Sequence, residues 1–328
     1  MFRTELNLKP GELRVSHSTE GLFVGSCFSN NIGGKLQNLK FPVFINPFGV
    51  VYNPVSVKNT LEIIMDRDLF TEKDLSFHDG QWYSFYHHSS FSNASKEACL
   101  ENINSEIERS YQKLLKAKFL FITFGTSWVF EKPQTGNVVS NCHKLPAREF
   151  NRRMLSVQSI VQDYQVFLEK LKVFNPDIKV VFTVSPIRHW KDGAVGNQYS
   201  KATLIVAIQQ LLSEFSFCSY FPSYEILMDD LRDYRFYDED MLHVNDTAIN
   251  YIWSKFGDVF LDKKTQELNK QILKIIQAKS HRPFNPEGEQ YQKFLKQQLK
   301  KIEELMKLNS DMDFSAEIAF FKSLLCVK

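Results

Sequence analysis

Short apolar runs alternate along the chain with segments of helical periodicity. The first run, Leu22-Phe-Val-Gly25, precedes a polar-capped segment from Ser29 to Leu39. Phe41-Pro-Val-Phe-Ile45 is the second, followed by a helix announced by Asn53 and Pro54. An Asn side chain accepts a free backbone N–H at a helix start, and Pro suits the first helical position. In that helix Val57, Leu61, Ile64 and Met65 share one face. Residues 67–96 break the rhythm with aromatic, His and Ser residues and read as an inserted loop or hairpin. A helix over about 96–116 then leads into the clearest strand, Lys118-Phe-Leu-Phe-Ile-Thr-Phe124. The spacing of Phe150, Met154, Val157, Val161, Tyr164, Leu168 and Leu171 predicts one long helix, ahead of the strand Lys179-Val-Val-Phe-Thr-Val184. A helix carrying Leu204, Ile208, Leu211 and Leu212, the strand Phe217-Cys-Ser-Tyr-Phe221 and a core helix from about Asn245 complete the alternation.

Five β-runs separated by helices predict a three-layer α/β/α domain over residues 1–262, with a mostly parallel sheet covered on both faces. From residue 263 the composition turns to Lys, Gln, Glu and Leu without a strand pattern. Helices are expected over 265–279, 289–308 and 314–325, the second burying Tyr291, Leu295, Ile302 and Leu305. This helical appendage of 263–328 is expected to pack on the α/β domain or on a second copy, and a homodimer through these helices is the oligomer to test.

Composition narrows the classes further. Hydrophobic residues make up 43% and charged residues 24%, enough for a sizeable core without staples. Lys+Arg 40 against Asp+Glu 38 leaves +2, no electrostatic footprint for nucleic acid or an anionic membrane. Cys27, Cys99, Cys142, Cys218 and Cys326 are scattered, with no CxxC pair, so neither a disulfide framework nor a zinc ribbon is expected. The first residues lack the apolar stretch of a signal peptide, and no run approaches the roughly 20 apolar residues of a membrane span. A cytoplasmic location is the expectation.

In parallel α/β sheets ligands sit outside the carboxyl ends of the strands, and the chemistry-bearing residues cluster there. Gly25-Ser26-Cys27-Phe28-Ser29 follows the first strand and carries two nucleophile candidates. Asn46-Pro-Phe-Gly49, with Asn53 beyond, follows the second, Gly125-Thr126-Ser127-Trp128 the third, and Ser185-Pro-Ile-Arg188-His189 the fourth. Past the fifth strand, Asp240-Met-Leu-His243 stands just before the core helix. Each block alone fits an ordinary turn or cap. Nucleophile, small donors and Asp/His in order, each at a strand exit, point together to a functional site.

The blocks resemble the GSCFA domain family, of which Gly25-Ser-Cys-Phe-Ser29 is nearly the eponymous motif. Asn46-Pro-Phe-Gly-Val-Val-Tyr-Asn-Pro54, Gly125-Thr-Ser-Trp128, Asn141-Cys-His-Lys-Leu-Pro146, Ser185-Pro-Ile-Arg-His189, Asp240-Met-Leu-His243 and His281-Arg-Pro-Phe284 look like its further blocks, over nearly the whole chain. The resemblance implies a bacterial protein related to the SGNH/GDSL hydrolases. That relation implies a flavodoxin-like fold and ester or acyl chemistry, frequently on carbohydrate-linked esters, by hydrolysis or by transfer.

Carried over by position, the resemblance places Cys27 where SGNH hydrolases have their serine, with Ser26 one residue early. The nucleophile is therefore Cys27 or an offset Ser26. A thiol at a helix N-terminus beside an imidazole is readily ionised, which favours Cys27. The rival role for Cys27 is that of a small buried thiol. Gly49 matches the glycine whose N–H helps hold an oxyanion, and Ser127 stands where an Asn usually supplies a donor, with Thr126 as the fallback. Asp240 and His243 match the Asp/His block, His243 as general base and Asp240 fixing its tautomer. Asn53, His88, His143, Arg188 and His189 are candidates to line the pocket and bind substrate. No cofactor is expected: GxGxxG and P-loop spacings are missing. Nor is a metal site built from His88, His143, His189 and Cys142, which lack ligand-pair spacing. The expected ligand is a small-molecule or carbohydrate ester. The alternatives are a carbohydrate- or glycopeptide-binding protein with a degenerate cleft, and a scaffold acting through its C-terminal helices.

Overall fold

Strands β1 (Gly21–Gly25), β2 (Val43–Ile45), β5 (Phe119–Phe124), β9 (Lys179–Val184) and β10 (Cys218–Tyr220) form one parallel sheet in the order β10-β9-β5-β1-β2. The computed structural model describes residues 4–309 and 312–325, so Cys326 lies outside the described residues. The order reverses at β1, with β2 on one side of it and β5 on the other. That topological switch leaves a crevice beyond the carboxyl ends of β1 and β5, where ligands bind in such sheets.

Alternation along the strands sends side chains to two opposite layers. Leu22, Val24, Leu120, Ile122, Phe124, Val180, Phe182 and Val184 meet helices α2 (Pro54–Asp66), α3 (Lys96–Lys116), α4 (Val157–Phe174) and α5 (Gly193–Glu214) in one core. Phe23, Phe119 and Phe121 fill the other face, where Phe121 and Phe221 both contact Phe256 of α7 (Asp246–Phe260). Ring-on-ring contacts among these Phe side chains hold this face to α7.

The three-layer α/β class is as the periodicity predicts, and one helix is corrected. Residues 128–154 form an antiparallel sheet of β6 (Trp128–Glu131), β7 (Val138–Val139) and β8 (Asn151–Met154) in the order β7-β6-β8. Phe150 and Met154 therefore do not belong to the helix that follows. Ser156 and Ser159 cap each other reciprocally and start α4 at Val157. The four-and-three spacing ran on through the strand by coincidence. Within 67–96 a hairpin of β3 (Ser76–His78) and β4 (Gln81–Tyr83) is present.

The chain divides into two compact units. The first comprises 1–8, 20–34 and 43–256, and the second 9–19, 35–42 and 257–328. The second unit thus begins inside α7 and takes in two N-terminal segments, where the sequence reading put the boundary after 262. It carries α8 (Lys263–Lys279), α9 (Glu289–Leu308) and α10 (Ser315–Ser323), and it buries Ile272, Tyr291, Leu295, Ile302, Leu305 and Phe321. Buried Glu317 holds Lys40 at 2.8 Å and Lys279 at 3.7 Å. Among the described residues no helix is long and apolar enough to cross a membrane.

Candidate active site

The exit of β1 is built around a glycine that no other residue can replace without strain. Gly25 has φ +141°, and a Cβ there would lie 2.1 Å from the Thr123 carbonyl oxygen of β5. Its N–H donates to Asn46 Oδ1 at 2.8 Å, and its carbonyl accepts the Val51 N–H at 3.1 Å, so the 46–53 block is strapped to the β1 exit. Ser26 is 2% exposed, donates its N–H to Thr123 O at 3.2 Å and accepts the Phe28 N–H on Oγ at 3.4 Å. Its hydroxyl thus caps the start of α1 (Cys27–Asn38). Cys27, the first helical residue, is half-buried, with Sγ 3.7 Å from Tyr52 Oη. As a first-turn amide, the Cys27 N–H has no acceptor within its own helix.

The Asp240–His243 turn is held by its own carboxylate. Asp240 Oδ1 accepts the N–H groups of Leu242 at 2.9 Å and His243 at 2.8 Å, while Oδ2 takes His243 Nδ1 at 2.5 Å. These hydrogen bonds, the imidazole's first, hold the Asp240 carboxyl down at about 2. With Nδ1 donating to the carboxylate, Nε2 keeps its lone pair for a proton. Met241 adopts φ +58° in this turn, a left-handed conformation uncommon for Met. Both side chains are solvent-accessible, 46% for Asp240 and 55% for His243.

Cys27 and His243 line one cleft of about 930 Å³ and also an adjoining depression of about 580 Å³. Ser26, Asn53, Thr126 and the half-buried Arg188 and His189 line the same cleft, together with His88 and His143 from the inserted segments. His88 accepts the Ser90 N–H on Nδ1 at 3.2 Å, so its proton resides on Nε2 as a donor. His143 is pinned by Nε2 to Ser84 O at 2.8 Å and packs on Tyr83. Asn53 spends its amide on α2, accepting the Ser56 N–H at 2.8 Å and donating to Ser56 Oγ at 3.0 Å.

Two of the expected oxyanion donors are placed elsewhere. Gly49 donates its N–H to Asn46 O at 2.8 Å inside the turn, and a Cβ there would lie 2.1 Å from His88 Cβ. Its glycine character is accounted for by φ +85° and by that close approach. Ser127 is wholly buried, its N–H donating to Ser200 Oγ at 2.8 Å and its hydroxyl to the same oxygen at 3.1 Å. Neither residue lines the cleft. Thr126 does line it, although its hydroxyl meets Ser200 Oγ at 3.0 Å and accepts the Trp128 N–H at 3.2 Å.

Sequence reasoning missed Tyr52 and Lys201. Tyr52 is marked in sequence only as one aromatic of the Asn46–Pro54 block, yet its hydroxyl meets Cys27 and its carbonyl accepts the N–H groups of Gly125 and Thr126 at 2.7 and 3.0 Å. Burial first, and then the Cys27 sulfur, push its hydroxyl above the ordinary tyrosine range, so it remains an O–H donor. Lys201 is fully enclosed and donates to Gly125 O and Ser185 O, each at 2.7 Å, tying the ends of β5 and β9 together. Burial first, and Lys201 second, lower the His189 imidazole to about 4, leaving it neutral at neutral pH.

Burial also lowers Lys201 to about 7, against an ordinary value of 10.5. Between these values the unfolded chain binds more protons than the folded one, so this lysine makes stability rise with pH. The neutral amine still has the two N–H groups its two carbonyls need. The urea midpoint of the wild type is expected to gain on that of Lys201→Met as pH rises from about 7 to 9. Parallel midpoint profiles for the two proteins would contradict this reading.

Among the described residues no group of three His, Cys, Asp or Glu side chains is arranged to hold a metal ion. No curated protein matches the chain. Among solved structures, an acetyl xylan esterase from the rumen bacterium Butyrivibrio proteoclasticus is similar at 11% identity and TM-score 0.38, over 74% of this chain and 63% of that one. The chain thus spans less than two-thirds of that esterase's length. A carbohydrate esterase family 3 protein from Talaromyces cellulolyticus is similar at 10% identity and TM-score 0.35, over 77% of this chain and 98% of that one. The GSCFA family matches residues 21–256, and the C-terminal domain of GSCFA domain proteins matches 272–326. With the strand-exit blocks and the C-terminal helices both accounted for, this chain belongs to the GSCFA family.

Proposed function

We propose that the protein cleaves or transfers the acyl group of an ester, with Cys27 as nucleophile and His243 as general base. The observation that carries this reading is the convergence of an accessible helix-start thiol and a carboxylate-oriented imidazole on one cleft at the carboxyl ends of β1 and β5. Ser26 is the weaker nucleophile candidate, because its hydroxyl is buried and caps α1. In the proposed cycle, Cys27 Sγ attacks the acyl carbonyl carbon as His243 Nε2 takes its proton. The carbonyl oxygen becomes an oxyanion facing the Cys27 N–H, with the Tyr52 hydroxyl as the second donor. The C–O bond breaks, and the leaving alkoxide takes the proton back from His243, which leaves a thioester on Cys27. Water or an alcohol, deprotonated by His243, then releases the acyl group.

The cleft's size and lining support a carbohydrate ester as substrate. Its 930 Å³ lies toward the upper end of small-molecule sites, ample for a glycoside. Trp128, Trp190 and Tyr83 supply aromatic faces, and His88, Ser89 and Thr126 supply polar groups among them. The buried Ser127 and the committed Gly49 N–H favour a second reading, a carbohydrate-binding protein without turnover. His243→Ala separates the two. Under the enzymatic reading it loses about 10²–10⁴-fold in kcat/KM on an acetylated glycoside. Full activity in that variant would refute His243 as the base, and wild-type binding without any turnover would establish the second reading.

A further inference from the structure

The charges lining the cleft are unbalanced in a chain whose whole excess is +2. Lys144, Arg152, Arg188 and Lys191 line it, against the carboxylates of Asp79 and Asp192. Asp192 is already occupied, at 2.5 Å, by Arg152. Arg188 has no carboxylate within ion-pair distance among the described residues. Its Nη2 donates to Met241 O at 2.7 Å, and its guanidinium packs against the rings of Trp190 and Tyr237, each at 5.1 Å. The cation is therefore held in place by groups that leave its charge uncompensated. Met241 belongs to the Asp240–His243 turn, which puts that charge beside the proposed base. Lys191, whose Nζ lies 5.0 Å from the centre of the Phe130 ring, adds to the same field without a carboxylate within ion-pair distance among the described residues.

We propose that the cleft recognises an anionic substrate, with Arg188 taking a carboxylate, sulfate or phosphate group on the molecule whose ester is processed. The assignment rests on the ester reading above and names its substrate class: an acylated acidic sugar. A preorganised guanidinium is suited to an oxyanion, since its planar N–H edge meets two oxygens at once and little side-chain freedom remains to be lost. Met241 O occupies part of that edge and fixes the approach of the rest. The proposal makes Arg188 a specificity residue, which does not take part in moving the acyl group.

Calorimetry with Cys27→Ala, which keeps every lysine, arginine and carboxylate lining the cleft, tests the site without turnover. The probes are methyl glucuronoside, glucose 6-sulfate and glucose 6-phosphate, with methyl glucoside as the neutral reference. At low salt at least one anionic probe is expected to bind roughly 10-fold or more tightly than the glucoside. The margin should shrink in 0.5 M salt. It should vanish when Arg188→Met is added, at an unchanged melting temperature, and return in part with Arg188→Lys. The order of the three anions identifies which oxyanion the site takes. Equal affinities for anionic and neutral probes, no binding of any anionic probe, or a margin that survives Arg188→Met would overturn the proposal. A parallel assay on acetylated methyl glucuronoside and acetylated methyl glucoside keeps the two readings apart. Turnover of both esters at equal kcat/KM would reject the anion site and retain the esterase, whereas anion-selective binding without turnover would do the reverse.

Discussion

Cys27→Ala is expected to lower kcat/KM for ester turnover by on the order of 10⁵-fold, because a reaction routed through one covalent intermediate has no second path once its nucleophile is gone. Ser26→Ala offers the matched contrast. Its hydroxyl accepts the Phe28 N–H at the start of α1, and it is 2% exposed. Losing that cap should cost about 1 kcal/mol of stability and leave the thiol chemistry in place. Steady-state kinetics on 4-nitrophenyl acetate, together with unfolding midpoints, read both effects. If Ser26→Ala abolished turnover while Cys27→Ala retained it, the nucleophile would be the serine.

Gly25→Ala is expected to be the most damaging substitution to the fold, at about 4 kcal/mol or more. Two costs act at the same atom. The residue sits at φ +141°, which side-chain-bearing residues rarely adopt, and the added Cβ would meet the Thr123 carbonyl oxygen at 2.1 Å. That oxygen accepts the Ser26 N–H, so it cannot retreat without loosening β5 and the first turn of the site together. Gly34→Ala is the internal control. It lies within α1, where an added Cβ has nothing within 4 Å, and alanine there should stabilise by up to about 1 kcal/mol. Urea unfolding of the two variants checks the contrast, and equal midpoints would contradict it.

The framework was legible because burial imposes period on sequence. β5 and β9 are covered on both faces and read as mostly apolar runs, and the helices over them expose one face and read at 3.6. The β6–β8 sheet was illegible for the opposite reason. β8 is Asn-Arg-Arg-Met, largely exposed, and its Arg153 is held by Glu131 of the neighbouring strand. Nothing local marks such a strand. At the site, the sequence places Cys27, Thr126, Arg188 and His189 at strand exits, since each closely follows an apolar run, and places His243 just before the last core helix. It does not show which way a side chain turns. Ser127 turns inward to Ser200, a residue 73 positions along the chain, and Gly49 spends its N–H within its own turn. Tyr52 and Lys201 act through contacts 25 and 76 residues apart, which no spacing rule reaches.

The central claim is that the acyl group passes through Cys27. Its most direct test is mass spectrometry with peptide mapping of protein mixed with 4-nitrophenyl acetate and quenched in acid within the first turnovers. The account predicts one acetyl group on the peptide beginning at the β1 exit, located to Cys27, released by neutral hydroxylamine as a thioester and strongly diminished in His243→Ala. An acetyl group on Ser26, or turnover while Cys27 remains unmodified and free to alkylate, would contradict it.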